Sequence, residues 1–186
     1  MSETQLTTIL TGIEALGRKG ANNSSGKHED VGPTVKQVLD ALGSFNEIVR
    51  YLNTRRSKGA ILDITNEAAV QDVVYLMLRP WVLDLIYENP TDKVGNRYTI
   101  KDFVSPQGKF VVEAKYVRNA DHGKKIVSEL NDDIETYRYH RSCEDLIFFI
   151  YDPENHIPDA ASVERHLRTS RSYDGKTLRC HGMIKP

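Results

Sequence analysis

Cysteine, tryptophan and long apolar runs are scarce in this chain of 186 residues, which has two cysteines and one tryptophan. Cys143 and Cys180 stand far apart without neighbouring ligand residues, so the sequence supports neither a disulfide framework nor a zinc site. No apolar run approaches the roughly 20 residues that cross a bilayer, and no signal peptide is recognised. We therefore expect a cytoplasmic protein that does not contact a membrane.

A net charge of either sign is also lacking, because 25 Lys and Arg oppose 26 Asp and Glu, for a formal net charge of −1. The chain is not a polycation, so any contact with nucleic acid must come from local basic patches. The charge is unevenly distributed, since residues 61–136 hold 13 acidic and 9 basic side chains. This acidic middle segment suits a metal site, although ordinary solvated faces would give the same counts.

What the sequence does contain is a tight turn with charged residues on both sides. Ser105–Gly108 has Pro at its second position and Gly at its fourth, which favours a type I turn between two strands. With this loop, Val104 pairs with Lys109 and Asp102 pairs with Val111. The prediction depends on that register, because a slip of one residue would turn the Asp102 side chain to the opposite face of the sheet.

The second strand of this hairpin carries Glu113 and Lys115 on one face, because side chains alternate along a strand. Asp102 lies diagonal to Glu113, within reach of long side chains. The opposite face of the second strand is predicted to pack in the core through Phe110, Val112, Ala114 and Tyr116.

Two carboxylates and one amine on a shared face can hold a divalent metal and place the amine beside it, an arrangement that can hydrolyse phosphodiester bonds. Mg²⁺ prefers hard oxygen ligands and is commonly bound by one or two carboxylates, several waters and a substrate phosphate. A lysine beside the metal can orient the attacking water or help to deprotonate it. The alternative is a set of weak ion pairs on a solvated sheet face.

The spacing of apolar residues divides the chain near residue 60. Residues 3–17 and 33–52 each predict an amphipathic helix, and these helices either pack on the domain or mediate self-association. The sequence therefore predicts a helical N-terminal region over residues 1–60 and a separate domain over residues 61–186.

The second region predicts an α/β fold, with a mixed β-sheet flanked by helices. Asp145–Asp152 is a continuous apolar run between acids, which is typical of a parallel strand buried on both faces. A helix from Asn66 is expected to break or kink near Pro80. The elements predicted after the hairpin are a helix over 123–139, the strand over 145–152, a helix over 159–167 and a strand over 176–183.

This order of elements, with Asp on one strand and Glu-x-Lys on the next, resembles the restriction-endonuclease-like PD-(D/E)xK nuclease superfamily. The resemblance covers about residue 61 to the end of the chain. It is to one bacterial branch, found in restriction and anti-phage defence proteins. The segments that carry it are Val70-Gln-Asp-Val-Val74, Phe110-Val-Val-Glu-Ala-Lys115, Leu130-Asn-Asp-Asp-Ile-Glu-Thr-Tyr137 and Phe149-Ile-Tyr-Asp-Pro-Glu154.

The resemblance implies a nuclease that depends on Mg²⁺ or Mn²⁺ and favours DNA over RNA. Asp102 and Glu113 would bind the metal, and Lys115 would be the catalytic lysine. Families of this fold often add an acid from the first helix. Glu67 and Asp72 on that helix and Glu88 after it could each point back to the hairpin, although an acid at the position of Glu67, near the helix N-terminus, also favours the helix dipole. The candidates for the additional ligand, in order of preference, are Asp72, Glu88 and Glu129, the last at a position that is often Gln in this branch.

Candidate DNA contacts follow from charge and from interleaved aromatic residues. The branch has an arginine two residues before the motif Asp, and this chain has Ile100 there. The basic residues that we expect to contact nucleic acid are Lys124, Lys125, Arg138, Arg141, Arg97 and Lys101.

Two other functions are open at this point. The first is a non-catalytic module that binds nucleic acid or supports assembly while retaining the nuclease fold. The second is an effector whose cleavage is switched on by assembly, either as a homo-oligomer through residues 1–60 or with a partner protein of the same defence system.

Overall fold

The computed structural model of the chain describes residues 32–54, 62–90, 100–137, 143–173 and 175–186. Its helices are α1 (Val35–Gly43), α2 (Phe45–Thr54), α3 (Glu67–Leu78), α4 (Ala120–Tyr137) and α5 (Ala160–Leu167). Its strands are β1 (Ile86–Pro90), β2 (Ile100–Ser105), β3 (Phe110–Tyr116), β4 (Asp145–Tyr151), β5 (Arg171–Tyr173) and β6 (Lys176–Lys185).

The strands form one mixed sheet in the order β1-β2-β3-β4-β6-β5. The three central strands, β3, β4 and β6, run parallel to one another. β1, β2 and β5 add antiparallel pairings at the two sides. The predicted α/β fold is confirmed, and so is the prediction that the apolar run of β4 is a parallel strand buried on both faces.

Helices cover both faces of the sheet. Along β4, Leu146, Phe148 and Ile150 pack against α4 and α5. The alternate residues Ile147 and Phe149 pack against α1, α2 and α3. The same division applies to β3, whose Phe110, Val112 and Ala114 belong to the second of these clusters, as the alternation of its sequence predicted. Within the described ranges no helix combines the length and apolarity needed to cross a membrane.

The apolar stretch that was predicted as one helix after Pro33 forms two, and that prediction was wrong. α1 begins with a capping box between Thr34 and Gln37. It ends at Gly43, and the N–H of Ser44 bonds the carbonyls of Ala41 and Leu42. The break turns the chain so that both helices reach the sheet, and the fully buried side chains of this region are Val38, Leu42 and Phe45. Residues 3–17 lie outside the described part of the chain.

Two short strands were missed by the sequence reasoning. β1 ends in Asn89-Pro90, a pair that indicates a loop, but a proline is tolerated in a strand at the edge of a sheet. β5 has three residues and pairs only with β6. The predicted end of the helix before Pro80 is confirmed, because α3 stops at Leu78.

The hairpin of β2 and β3 has a register different from the predicted one. Val104 pairs with Val111 and Ser105 pairs with Phe110, so the predicted pairings of Val104 with Lys109 and of Asp102 with Val111 were wrong. The connection is Pro106–Lys109, because Ser105 remains in the strand and its hydroxyl donates to Asp84. The shift is two residues, so side chains keep their faces. Continuing the observed register by one residue places Asp102 opposite Glu113.

Candidate active site

Asp102 is held in one orientation by two hydrogen bonds. Its Oδ2 accepts from the backbone N–H of Ala114 at 2.7 Å, and its Oδ1 accepts from Gln71 Nε2 at 2.9 Å. Burial raises the pKa of Asp102 to about 6, against the lowering effect of the Ala114 N–H, of the Lys115 charge and of Gln71. β3 and α3 therefore fix this carboxylate from two sides.

Glu113 presents a buried carboxylate without a matching donor. The residue is 4% exposed, and its Oε1 has no hydrogen-bond partner among the described residues. Burial raises its pKa well above the ordinary range, and the charges of Asp102 and Asp133 raise it further. A buried, unpaired carboxylate is costly unless a cation or a proton compensates it.

Lys115 is paired with an acid from α4. Its Nζ lies 3.4 Å from Asp133 Oδ2, and the two side chains are 17% and 22% exposed. Burial by itself lowers the pKa of Lys115, but the surrounding carboxylates, with Asp133 and Glu113 foremost, outweigh it and the net pKa is raised. The lysine is therefore an ammonium ion in this environment.

The helix α3 contributes one acid, Glu67, to the group of charged residues around Glu113. Its charge raises the pKa values of Asp102 and Glu113, and it lies one helical turn before Gln71, which bonds Asp102. Asp72, our preferred ligand on this helix, is exposed. Its position next to Gln71 turns it about 100° around the helix axis, and the structure does not bring it into the group. Glu88 lies on β1, but its side chain is outside the described residues.

Glu129, the third candidate for the additional ligand, is 46% exposed and bonds a buried histidine. Its Oε2 lies 3.2 Å from Nε2 of His122, which is 7% exposed. The other ring nitrogen of His122 accepts from the backbone N–H of Arg118 at 3.3 Å. This acceptor role places the proton on Nε2, so the ring donates to Glu129. Burial raises the pKa of Asp133, one turn further along α4, against the lowering effect of Lys115, and the charge of Glu129 adds to the rise.

Of the six basic residues expected to contact nucleic acid, the structure describes the side chains of two. Lys124 and Lys125 are both exposed near the N-terminal end of α4. Lys124 is paired with Asp121 at 3.3 Å. The candidates that lie outside the described residues, wholly or for their side chains, are Arg97, Lys101, Arg138 and Arg141.

The group of charged residues around Glu113 suits a hard divalent cation, although it does not form a complete set of protein ligands. Among the described residues, no three His, Cys, Asp or Glu side chains are gathered closely enough to form a metal site. Mg²⁺ does not require three, since it is bound by one or two carboxylates and keeps several waters. The unpartnered Oε1 of Glu113 and the oriented carboxylate of Asp102 supply such oxygens.

Three residues of this group were not predicted to belong to it: Gln71, His122 and Asp133. Glu67 was one of the acids that could point back to the hairpin, but it was not among the preferred ligands. For Gln71 and Asp133 the signal was present as spacing, because each lies four residues from a candidate acid, Glu67 or Glu129, and such pairs share a helix face. The sequence did not indicate which helix face meets the β2–β3 hairpin. His122 gave no signal beyond that of a lone histidine.

Comparison with protein-family models gives a match over most of the chain. The family model of the DpnII-MboI restriction endonucleases, REase_DpnII-MboI, matches residues 36–179. No curated protein and no solved structure gives a significant match. The matched range runs from α1 into β6 and contains every residue of the group around Glu113.

Proposed function

The chain belongs to the DpnII-MboI restriction endonuclease family, and from that premise we propose that it is a Mg²⁺- or Mn²⁺-dependent DNA endonuclease of bacterial restriction or anti-phage defence. The observation that carries the proposal is the buried, unpartnered Oε1 of Glu113. It lies two residues before a charged lysine and, by register, opposite an oriented aspartate.

Asp102 and Glu113 are the residues that would hold the metal. When bound, a divalent metal would lower the pKa of a water and neutralise charge that develops on the phosphate. Gln71 and the Ala114 N–H keep Asp102 from rotating. We propose Glu67 in place of Asp72 as the further acid, because its charge acts on both Asp102 and Glu113.

Lys115 is the group that we propose to act on water and phosphate. Its raised pKa favours a donor that orients the attacking water, or contacts a phosphate oxygen, over a base that removes a proton. Asp133 and Glu129 lie on the same face of α4, so that helix closes the site from the side opposite α3.

Cleavage of supercoiled plasmid DNA in Mg²⁺ or Mn²⁺ tests this proposal. We expect wild type to nick or linearise the plasmid, and Glu113→Gln and Lys115→Met each to lower the rate at least about 100-fold. Lys109→Met is the matched control. It removes the same charge from an exposed side chain on the neighbouring turn, whose partner is Glu144, and we expect an unchanged rate.

Two results would count against the nuclease. A wild type that cleaves neither DNA nor RNA faster than its variants would refute it, and equal rates in all variants would point to a contaminating enzyme. A non-catalytic binding module is the second candidate, favoured by the net charge of only −1 and by Ile100 at the position where the resembling branch has an arginine. Its signature is DNA binding that survives both substitutions, without any cleavage.

A further inference from the structure

We propose that Asp133 is a positioning residue that holds the Lys115 ammonium away from Glu113, so that the Glu113 carboxylate stays available for a divalent cation. This inference rests on the proposed function and adds a residue that lies outside the hairpin motif. The observation behind it is which of two neighbouring carboxylates the lysine contacts.

Lys115 has a second acid within reach on its own strand. Residues two apart on a strand share a face and are separated by about 7 Å, so a lysine side chain can extend to Glu113. In the structure its Nζ instead lies 3.4 Å from Asp133 Oδ2. No ion pair joins it to Glu113 in the described part of the chain, and Glu113 Oε1 remains buried without a partner.

Two neighbouring acids of α4, Glu129 and Asp132, do not perform this task. Glu129 is bonded to His122 at 3.2 Å, and Asp132 is exposed. Ile126, Leu130 and Ile134 pack this helix against the sheet. This packing places Asp133 opposite Lys115. The packing of α4 thus determines the position of the ammonium group.

Stability alone gives no reason for an acid at this position. The Asp133 carboxylate is largely removed from water, and its Oδ2 has no well-formed hydrogen bond among the described residues. A buried pair of such loose geometry gains little over apolar side chains of the same size. Without Asp133, the nearest compensating charge for Lys115 on its own strand is Glu113, and that pairing would occupy the oxygen proposed for the cation.

A crystal structure of Asp133→Asn grown without divalent metal tests the rearrangement directly. We expect Lys115 Nζ to move to within about 3 Å of a Glu113 carboxylate oxygen. A lysine that stays in place, or turns to solvent, would overturn the inference whether or not the protein binds metal. If Asp133→Asn fails to fold, Asp133→Ser removes the same charge with a smaller side chain.

Calorimetric titration with Mn²⁺ tests the consequence, as a cycle of wild type, Asp133→Asn, Lys115→Met and the double variant. We expect Asp133→Asn to weaken Mn²⁺ binding about tenfold or more in wild type, but less than about threefold in Lys115→Met. Equal losses in both backgrounds would mean that Asp133 acts only as a charge, and would overturn the inference. Asp133→Glu retains a carboxylate and should restore most of the affinity.

Asp132→Asn is the matched control, since it removes the same charge from the adjacent exposed position of α4. We expect it to change Mn²⁺ affinity by no more than about twofold. The two proposals fail in different ways. A wild type that binds no Mn²⁺ would overturn both. A wild type that binds Mn²⁺ while Asp133→Asn binds it equally well would overturn only the positioning role.

Discussion

Glu113 shows at the scale of one residue how a buried, unpartnered carboxylate opposes stability. Its carboxylate is buried and lacks a donor for Oε1 in the described part of the chain. Burial, Asp102 and Asp133 all raise its pKa. Because the folded pKa lies above the unfolded one, metal-free stability declines as pH rises above the ordinary value near 4.5. Above that pH the metal-free folded protein is therefore less stable than it would be with a side chain at this position that stays neutral.

Glu113→Gln should raise the melting temperature of the metal-free protein at pH 8. The amide removes the charge while retaining the shape, so we expect a gain of at least 2–4 °C, about the shift that 1 kcal/mol produces in a chain of this size. Thermal unfolding followed by circular dichroism at about pH 5 and about pH 8, both above the ordinary pKa of a glutamate, should show a smaller decline with pH for the variant. Mn²⁺ should stabilise wild type and not the variant.

Glu144→Gln is the matched control for this measurement. Glu144 is exposed and its pKa is lowered by a hydrogen bond from Lys109, so removing its charge should not stabilise the protein. A melting temperature of Glu113→Gln equal to or below that of wild type would show that the buried charge is compensated in a way the structure does not contain.

At the scale of elements, the packing of α4 against the sheet determines how the candidate site is arranged. It carries Glu129 and Asp133, and it approaches the loop after β4 at Gly123. A Cβ built on Gly123 would lie 2.3 Å from the backbone oxygen of His156. That loop is itself fixed, because the carboxylate of Asp152 accepts from the N–H groups of His156 and Ile157. Neither α4 nor the loop after β4 can shift to make room for a methyl group without losing packing contacts.

Gly123→Ala should therefore destabilise the fold and displace α4. We expect a loss of about 1–3 kcal/mol and a cleavage rate that falls more than the folded fraction does, since Asp133 moves with the helix. Gly43→Ala is the control, because a Cβ added there, at the end of α1, would meet no described atom within 4 Å. A melting temperature of Gly123→Ala within 1–2 °C of wild type, about the scatter of surface substitutions, would contradict this account of the helix contact.

For the molecule as a whole, charge is the limiting quantity in any contact with DNA. The net charge is −1, and several basic side chains are already engaged within the fold. Arg179 bonds Asp145, and Arg168 bonds Glu164. A DNA-binding surface must therefore use a few exposed cations near the site, and α4 provides a pair for comparison.

Lys125 and Lys124 carry the same charge on adjacent positions of α4, and we expect only one of them to matter greatly. Lys125 shares its helix face with Glu129 and Asp133, whereas Lys124 is rotated by about 100° and pairs with Asp121. In the Lys115→Met background with Mg²⁺, Lys125→Ala should weaken DNA binding about fivefold and lower the salt slope by about 1. Equal effects of both substitutions, measured by fluorescence anisotropy, would refute this assignment.

Some of this protein follows from local rules of the chain. Side-chain alternation places Glu113 and Lys115 on one face of β3 whatever the register, and the apolar run of Asp145–Tyr151 indicates a buried parallel strand. The hairpin register was wrong by two residues, an even number, so the predicted faces still held. The break between α1 and α2 also follows from a local feature, the glycine at position 43. Which surfaces the two helices then pack against does not follow from the local sequence.

Only the tertiary structure determined which charged side chains lie close together. Asp72 and Glu67 lie on one helix, five residues apart. The charge of Glu67 acts on Asp102 and Glu113 while Asp72 is exposed, because α3 turns its Val70 and Val74 toward the core. Asp133 and Lys115 are separated by 18 positions along the chain and are brought together by the seating of α4. Backbone periodicity determined the faces of each element, whereas burial of apolar area, which acts between elements, determined their partners.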